Sequence, residues 1–278
     1  MNLLYIIWNP SPIIPLGGFE LRWYGLLFAL GFFLAYSLLY WVFKKEKVSF
    51  KLLDWLTVYF FVAVLLGARL GHVFFYEWDY YKVHLSEIPK VWEGGLASHG
   101  AAIGILLALI IYVRQYKVNV WWLFDRVAIV IPISAAFVRF GNLMNSEIYG
   151  HITTLPWGFV FMRDHAAGLL PRHPTQLYEA FSYLAITALL VILYNKKKGI
   201  IRPGLFVGIF LVIMFTARFL IEFLKEVQVN FERGMTIDMG QWLSIPFVLL
   251  GACFIYHSIK SDKIPEKPVW EKNEKVSR

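Results

Sequence analysis

The sequence predicts an all-α protein that crosses a membrane about seven times. Only 17% of its residues are charged and 58% are hydrophobic, whereas soluble domains are about 25% charged. Aromatic residues make up 18% of the chain and include 11 Trp, which suits a protein with many side chains anchored at membrane interfaces. The hydrophobic residues are gathered in runs of about 20 residues, the length that spans a bilayer. Together these observations exclude a soluble globular fold.

Seven apolar runs are long enough to cross the hydrocarbon core. In chain order they are Trp23–Phe43, Leu52–Tyr76, Gly95–Val113, Val120–Asn142, Leu177–Tyr194, Pro203–Phe223 and Met239–Ile259. The fourth contains Asp125 and Arg126, so its embedded part is expected to begin nearer Val127. We expect a single transmembrane domain over residues 1–260. The charged, proline-containing tail over residues 261–278 is expected to be disordered.

The basic residues predict the orientation of these runs. Sixteen Lys and Arg residues lie in the tail and in the loops after the first, third and fifth runs, against seven in the other loops. By the positive-inside rule the N-terminus is outside and the C-terminus is in the cytoplasm. The net charge of +8 therefore reflects topology, and no nucleic acid partner is expected. The long loops Glu77–Gly94 and Leu143–Gln176 then lie outside, and loops of this length are usually functional.

The N-terminal 21 residues have no basic segment and contain three prolines. They do not look like a cleavable signal peptide.

Polar groups follow one another at the end of the fourth run. Arg139 is followed by Asn142, Asn145 and Glu147. Such groups are costly at membrane depth and are usually functional where they occur. The planar guanidinium of Arg139 suits bidentate contact with a phosphate or carboxylate. The alternative is an ordinary helix end, where Arg139 snorkels to the interface and the asparagines cap the chain.

Six polar side chains on five runs fall at similar depths. They are Tyr24, Arg69, His99, Arg139, Arg218 and Glu222. Counted from the cytoplasmic ends at about 1.5 Å per residue, their depths run from about 18 to about 28 Å. Snorkelling would scatter them to whichever end was nearest. A shared site at the level of the outer-leaflet headgroups is therefore expected.

Several of the polar groups also have a structural explanation. Arg218 and Glu222 are four residues apart and could neutralise each other. Arg69 stands in a Gly-Ala-Arg-Leu-Gly segment that could be a helix-packing site, and His99 could be a hydrogen-bonded core histidine. The segment His173–Glu179 could be no more than a proline-containing helix start.

No metal site, cofactor site or nucleophile of the protein's own is expected. The seven His have no short ligand spacing, and the single Cys253 lies inside an apolar run, where a thiolate is disfavoured. No Gly-x-Ser-x-Gly motif is present. Ser98 and Ser146 are the only seryl groups beside polar candidates, so an intramembrane hydrolase lacks a convincing nucleophile. The absence of an internal repeat weakens a transporter interpretation.

Seven groups of residues, in order along the chain, resemble the motifs of the bacterial prolipoprotein diacylglyceryl transferase family. They are Arg22-Trp-Tyr-Gly25, Gly67-Ala-Arg69, Ser98-His99-Gly100, Arg139-Phe-Gly-Asn142 with Asn145-Ser-Glu147 and Gly150, His173-Pro-Thr-Gln-Leu-Tyr-Glu179, Arg218-Phe-Leu-Ile-Glu222, and Met239-Gly-Gln241-Trp-Leu-Ser-Ile-Pro246. There are two departures. Ala101 and Ala102 follow Gly100 where the family usually has a second glycine. Met214 stands one turn before Arg218, where a tyrosine is expected.

The resemblance implies transfer of the diacylglyceryl group of phosphatidylglycerol to the lipobox cysteine of a prolipoprotein signal peptide. The transfer forms a thioether and releases glycerol phosphate. The resemblance places the protein in the bacterial inner membrane, as a multi-pass enzyme without cofactor whose active site lies near the outer (periplasmic) leaflet. The nucleophilic thiol belongs to the substrate, and because its pKa is near about 8.5 it gains from a general base. Fixed guanidinium groups would stabilise the charge that builds on the leaving phosphate.

The resemblance also assigns roles to the polar residues. Arg139 and Arg218 would bind the phosphate, and His99 would be either the general base or a phosphate donor. Glu222 would orient Arg218. The other substrate-binding candidates are Tyr24, Arg69, Asn142, Asn145, Glu147, Gly150 and Gln176.

The remaining alternative is a transporter or flippase for an anionic lipid or solute that uses the same arginines as a binding site. It needs a polar path to the cytoplasm. The inner halves of the runs are almost uncharged apart from Asp125 and Arg126.

Overall fold

The computed structural model describes residues 5–91, 94–95, 97–164, 168–227, 234–261 and 264–268. Within them, seven helices are long and apolar enough to cross a membrane, which confirms the predicted number. The helices are α1 Trp23–Glu46, α2 Phe50–Phe75, α3 Trp78–Tyr81, α4 Ser98–Tyr116, α5 Val120–Met144, α6 Thr175–Lys196, α7 Leu205–Glu222 and α8 Met239–Lys260, of which only α3 is short. The strands are β1 Ile6–Trp8, β2 Ile13–Leu16, β3 Phe19–Arg22 and β4 Phe159–Phe161.

The chain divides into two compact units. The first contains Met1–Leu39 and Phe124–Ile264, and the second contains Tyr40–Leu123 and Pro265–Arg278. The divisions fall inside α1 and α5. The single domain expected over residues 1–260 stays a prediction. Most of the tail that is expected to be disordered lies outside the described residues.

In the second unit, α2 and α4 pack through glycines. A Cβ atom added to Gly67 would lie 2.5 Å from the carbonyl oxygen of Gly100, and one added to Gly71 would lie 2.6 Å from the Cα of Gly100. Only residues without a side chain permit two helices to approach this closely. The packing explanation therefore holds for the glycines on either side of Arg69. It also fixes the first turn of α4, which contains His99.

In the first unit, Asp125 fixes the start of α7 to α5. Its Oδ2 accepts the backbone N–H of Gly204 at 2.9 Å, and its Oδ1 accepts those of Phe206 and Val207 at 2.9 and 3.1 Å. These are the unpaired N–H groups of a helix start, where a carboxylate is also favoured by the helix dipole.

This cap sets the height of the two arginines. Arg139 lies about 21 Å along α5 from Asp125, and Arg218 lies about 20 Å along α7 from Leu205, at about 1.5 Å per residue. Because the two helices are joined at Asp125, the arginines reach nearly the same level.

The segment after α5 is ordered by strands and backbone hydrogen bonds. Strand β1 pairs in parallel with β4, and the indole N–H of Trp8 donates to the carbonyl of Leu143 at 2.9 Å. Farther along, Gly150 forms an antiparallel bridge with Lys225, and the N–H of His151 donates to the carbonyl of Leu224 at 2.8 Å. The segment that follows α7 is thereby attached to the segment that follows α5, and the side chain of Lys225 is buried.

Candidate functional site

Arg139 is held by side chains inside the first unit. Its Nε lies 2.7 Å from Oε2 of Glu179, and its Nη1 donates to Oδ1 of Asn142 at 3.2 Å. Tyr183, one turn beyond Glu179 on α6, is a further electrostatic neighbour of the guanidinium. Because these partners lie on α5 and α6 and Glu179 is fully buried, the side chain faces the helices. This geometry argues against the snorkelling alternative.

Hydrogen bonds continue from Arg139 to Glu147. Asn142 Nδ2 donates to Glu147 Oε1 at 2.7 Å, and Asn145 Nδ2 donates to the same oxygen at 3.3 Å. Oε2 of Glu147 accepts no hydrogen bond from the described residues. One carboxylate oxygen is thus fixed by two amides while the other is open to a donor. A glycerol hydroxyl is such a donor.

Glu147 lies between two residues with left-handed backbones. Ser146 has φ 58° and Ile148 has φ 61°, and a β-branched residue such as Ile is rare in this region. Strained backbone of this kind persists where neighbours hold it, often at functional sites. Thr175 Oγ1 donates to the carbonyl of Ile148 at 2.9 Å, and Gln176 Nε2 donates to that of Glu147 at 2.6 Å. The segment that begins at His173 is therefore more than a helix start, because two of its residues hold the Glu147 turn.

Burial, with a smaller effect of the neighbouring His151, lowers the pKa of His173. His173 is therefore neutral near pH 7. It adds no positive charge to the site.

A buried charge network extends from Arg139 to α7. Oε1 of Glu179 lies 2.9 Å from Nζ of Lys225, and the same Nζ lies 3.2 Å from Oε2 of Glu222. The carboxylate of Glu222 packs against Gly240, where an added Cβ would lie 2.5 Å from its Cδ. Two cations and two carboxylates balance in this network. A paired arrangement is what a buried charge requires.

The expected pairing of Glu222 with Arg218 is wrong. Glu222 faces Lys225, which follows it by three residues and is turned inward by the bridge to Gly150. The guanidinium of Arg218 forms no ion pair or hydrogen bond with the described residues. Tyr183 is one of its electrostatic neighbours. Glu222 and Arg218 therefore neither neutralise nor orient each other. Among the residues that the structure describes, none pairs with the charge that Arg218 carries in a membrane-spanning helix, which favours an anionic ligand.

Tyr24 reaches the same region from the first turn of α1. Its ring packs against Gly141, where an added Cβ would lie 2.8 Å from the ring Cδ2. Glu147 and Arg139 are its charged neighbours. Gly141, two residues after Arg139, thus leaves room for the Tyr24 ring.

The structure gives Gly150 a packing role. Its N–H donates to the carbonyl of His173 at 2.8 Å, and an added Cβ would lie 2.8 Å from both the Cβ of His173 and Cγ2 of Thr175. The first unit therefore brings together nine of the eleven candidates. They are Tyr24, Arg139, Asn142, Asn145, Glu147, Gly150, Gln176, Arg218 and Glu222.

Arg69, in the second unit, holds a loop. Its Nε donates to the carbonyl of Ile88 at 2.8 Å, its Nη1 to that of Gly94 at 2.7 Å and its Nη2 to that of Glu87 at 2.7 Å. The side chain is buried, and with a longer contact from Nη1 to the carbonyl of Gly95 at 3.5 Å four of its five N–H donors are used. Its role in the structure is to shape the loop that precedes α4, in place of the expected direct contact with substrate.

His99, also in the second unit, is the second residue of α4 and is exposed. Its ring forms no hydrogen bond with the described residues. The core-histidine alternative is therefore wrong. An exposed imidazole without a partner is available to accept a proton or to donate to an anion.

Three residues of the site were not among the predicted candidates. Glu179 ends the His173–Glu179 motif, and its signal in the sequence is that a glutamate in an apolar run requires a cation. Tyr183 lies one helical turn beyond it on the same face. Lys225 lies beyond the predicted end of its run, among the seven basic residues assigned to outer loops, and nothing in the sequence indicates that its side chain is buried.

Comparisons with known proteins identify the family of the chain. The family model described as prolipoprotein diacylglyceryl transferase matches residues 12–257. The chain is 47% identical over 257 residues to the phosphatidylglycerol–prolipoprotein diacylglyceryl transferase of Tolumonas auensis, covering 92% of this chain and 98% of the relative. The protein of the same name from Bacteroides fragilis is 43% identical, covering 91% and 95%. That from Nitrosomonas europaea is 37% identical, covering 91% of each. The chain belongs to the prolipoprotein diacylglyceryl transferase family.

Proposed function

We propose that this protein transfers the diacylglyceryl group of phosphatidylglycerol to the thiol of the lipobox cysteine of prolipoproteins. The observation that supports this most directly is the guanidinium of Arg218 beside the charge-balanced network of Arg139. A phosphodiester brings one negative charge, and no described residue forms an ion pair with Arg218. The names of the relatives, at 37–47% identity over most of the chain, identify the same two substrates.

The reaction is a displacement at carbon. The substrate sulfur attacks the carbon of the diacylglyceryl group that is bonded to a phosphate oxygen. A C–S bond forms and the C–O bond between this carbon and the phosphate oxygen breaks. The bonding pair leaves with glycerol phosphate, whose charge grows from one to two. Guanidinium groups that are already oriented stabilise this growth, and Arg139 is oriented by Glu179 and Asn142. The thiol proton must leave the sulfur, and His99 is the candidate to accept it or to donate to the phosphate.

The remaining polar residues surround the headgroup. Glu147, with one carboxylate oxygen open, can accept from the headgroup glycerol, and Tyr24 can hydrogen-bond the lipid near the interface. Gln176, Asn142 and Asn145 act through Glu147 or Arg139, as positioning residues.

We place the site in the outer leaflet of the bacterial inner membrane, with the N-terminus outside. The support is the distribution of Lys and Arg: sixteen lie in the tail and in the loops expected to be cytoplasmic, and seven lie in the other loops. Arg139 and Arg218 both lie far along helices that begin after basic loops.

The transporter and hydrolase alternatives fit less well. In the inner half, the carboxylate of Asp125 caps α7 and the guanidinium of Arg126 donates to the carbonyl of Gly199. Neither charge is therefore free to line a polar path. For the hydrolase, Oγ of Ser146 is buried and has no hydrogen-bond partner among the described residues. No base activates it.

The test is a product analysis. Purified protein is incubated with phosphatidylglycerol and a lipobox peptide, and the peptide is weighed by mass spectrometry. We expect a gain of one diacylglyceryl group, and none on a matched peptide in which serine replaces the lipobox cysteine. Movement of labelled lipid across vesicles without any modified peptide would contradict the proposal and support the transporter.

A further inference from the structure

A groove runs along the seam between α2 and α4 in the second unit. It encloses a cavity of about 690 Å³, and all of its lining residues belong to these two helices. Its walls are ridges of larger apolar side chains, which include Leu66 on α2 and Leu107 on α4. Its floor consists of small residues that recur at every fourth position, namely Ala63, Gly67, Gly71, Gly100, Gly104 and Ala108.

The groove is open and apolar. Leu66 and Leu107 are 52% and 55% exposed. Among the described residues that line the groove, only Tyr59 has a polar side-chain atom. A surface of this kind offers no hydrogen bonds to a polar solute, but it gains free energy when it is covered by hydrocarbon.

The two ends of the groove differ in character. One end is formed by Gly100, which directly follows the exposed His99 in the first turn of α4. No side chain caps this helix start, and the helix dipole favours an anion there. The other end is formed by Tyr59, whose hydroxyl donates to Gln115. An anion at one end and hydrocarbon along the rest is the arrangement of a phospholipid.

The size of the groove distinguishes an acyl chain from a helix. From Gly71 to Tyr59 it extends about 18 Å along α2, at about 1.5 Å per residue. One leaflet of the hydrocarbon core is about 15 Å thick, so a single chain from one leaflet occupies most of this length. A helical segment of the same length, about 10–12 Å wide, would occupy on the order of 1,500 Å³. The helix of a signal peptide would therefore lie mostly outside the groove.

We propose that the groove between α2 and α4 binds one acyl chain of the substrate phosphatidylglycerol, whose headgroup end lies beside His99, and that Tyr59 limits the length of this chain. The proposal rests on the transferase function proposed above. The ring of Tyr59 is held by the Gln115 hydrogen bond and by an edge contact with the buried Tyr112, at 5.7 Å between ring centroids. Because each methylene in the groove adds to the binding free energy, the groove selects lipids by chain length.

The experiment is a competition among chain lengths. Protein is incubated with a lipobox peptide and an equimolar mixture of dilauroyl, dimyristoyl, dipalmitoyl and distearoyl phosphatidylglycerol, and the masses of the lipidated peptides report which lipid was used. Leu107→Trp places a large ring in the wall about 10 Å from Gly100 along α4. We expect the ratio of dipalmitoyl to dilauroyl product to fall about tenfold, because the methylenes beyond the ring lose their apolar contacts.

Leu106→Trp is the matched control. Leu106 precedes Leu107 on α4 and is equally exposed, at 55%, but it does not line the groove. Its product profile should match that of wild type.

Tyr59→Ala tests the far end of the groove in the opposite direction. Removal of the ring lengthens the groove, so the relative yield from the distearoyl lipid should rise about threefold or more. Tyr59→Phe keeps the ring and should keep the wild-type profile.

Equal product profiles in Leu107→Trp and Leu106→Trp would overturn the proposal, and the groove would then be covered by bulk lipid only. An unshifted profile in Tyr59→Ala would overturn the role of Tyr59. A Leu107→Trp protein that loses activity equally for all four lipids would also contradict the acyl-chain site. Failure of the proposed function is distinct, because wild-type protein would then yield no lipidated peptide from any lipid.

Discussion

At the scale of single residues, the two arginines of the site are supported differently. Arg139 has a carboxylate and an amide around it, so its orientation is set before any ligand binds. Arg218 has no counter-ion among the described residues, so a bound phosphate is its natural partner. Lys225 maintains this difference, because it pairs with Glu222 and with the second oxygen of Glu179, and these carboxylate groups would otherwise attract Arg218.

Lys225→Met tests this role of the lysine. The change leaves Glu179 and Glu222 buried with one cation, Arg139, between them, and breaking a buried ion pair on one side costs about 3–5 kcal/mol. We expect the free energy of unfolding to fall by that amount in chemical denaturation. Because the excess negative charge is then free to attract Arg218, peptide lipidation should fall as well.

The matched control is the double variant Glu222→Gln/Lys225→Met, which removes one charge of each sign. It should regain part of the lost stability. A single variant as stable as wild type would show that the network is not needed.

At the scale of elements, the site depends on close approaches of helices. Glycines let α4 pack closely against α2, and they let the ring of Tyr24 pack against α5. At Gly240, the missing side chain leaves room for the carboxylate of Glu222 against the first turn of α8. Asp125 sets the height of α7. Positions of this kind are sensitive to a single methyl group because a packed interior relaxes only partly.

Gly240→Ala is the sharpest test at this scale. An added Cβ would lie 2.5 Å from Cδ of Glu222, so the carboxylate must move away from Lys225. We expect a loss of about 1–3 kcal/mol of stability, typical of overpacking, and reduced lipidation. Gly25→Ala is the control, because an added Cβ there meets no heavy atom within 4 Å. Equal stability of the two variants would contradict this account of Glu222.

The sequence predicts the seven helices because a segment in lipid must satisfy its own backbone hydrogen bonds, which makes hydropathy a strong signal. It also selects most residues of the site, because charges in apolar runs are conspicuous. It does not predict their partners. Lys225 competes with Arg218 for Glu222 only because a backbone bridge to Gly150 turns it inward, and Arg69 faces carbonyls of a loop that is distant in sequence. Both depend on tertiary contacts that have no periodic pattern.

At the scale of the whole molecule, the proposed orientation puts the polar ends of α5 and α7 outside. Cysteine labelling at positions 82 and 197 in intact cells tests it, using Lys82→Cys and Lys197→Cys in a Cys253→Ala background. Position 82 should react with an impermeant reagent, and position 197 should react only after the inner membrane is opened. The reverse pattern would contradict the orientation.

The background variant is a prediction of its own. The attacking thiol belongs to the substrate, so Cys253→Ala should keep nearly full lipidation activity. Loss of activity in folded protein would mean that the chain supplies the nucleophile.

The most direct test of the central claim is the rate of peptide lipidation by Arg139→Lys. An ammonium is a point charge without the guanidinium fork, so it cannot contact Glu179, Asn142 and a phosphate together. We predict a folded protein, because the charge is kept, with a loss of about 100-fold or more, equivalent to about 2.7 kcal/mol of transition-state stabilisation. Arg218→Lys is the companion variant, and a similar loss there would indicate that both arginines bind the phosphate. Activity of Arg139→Lys within a few-fold of wild type would contradict the account.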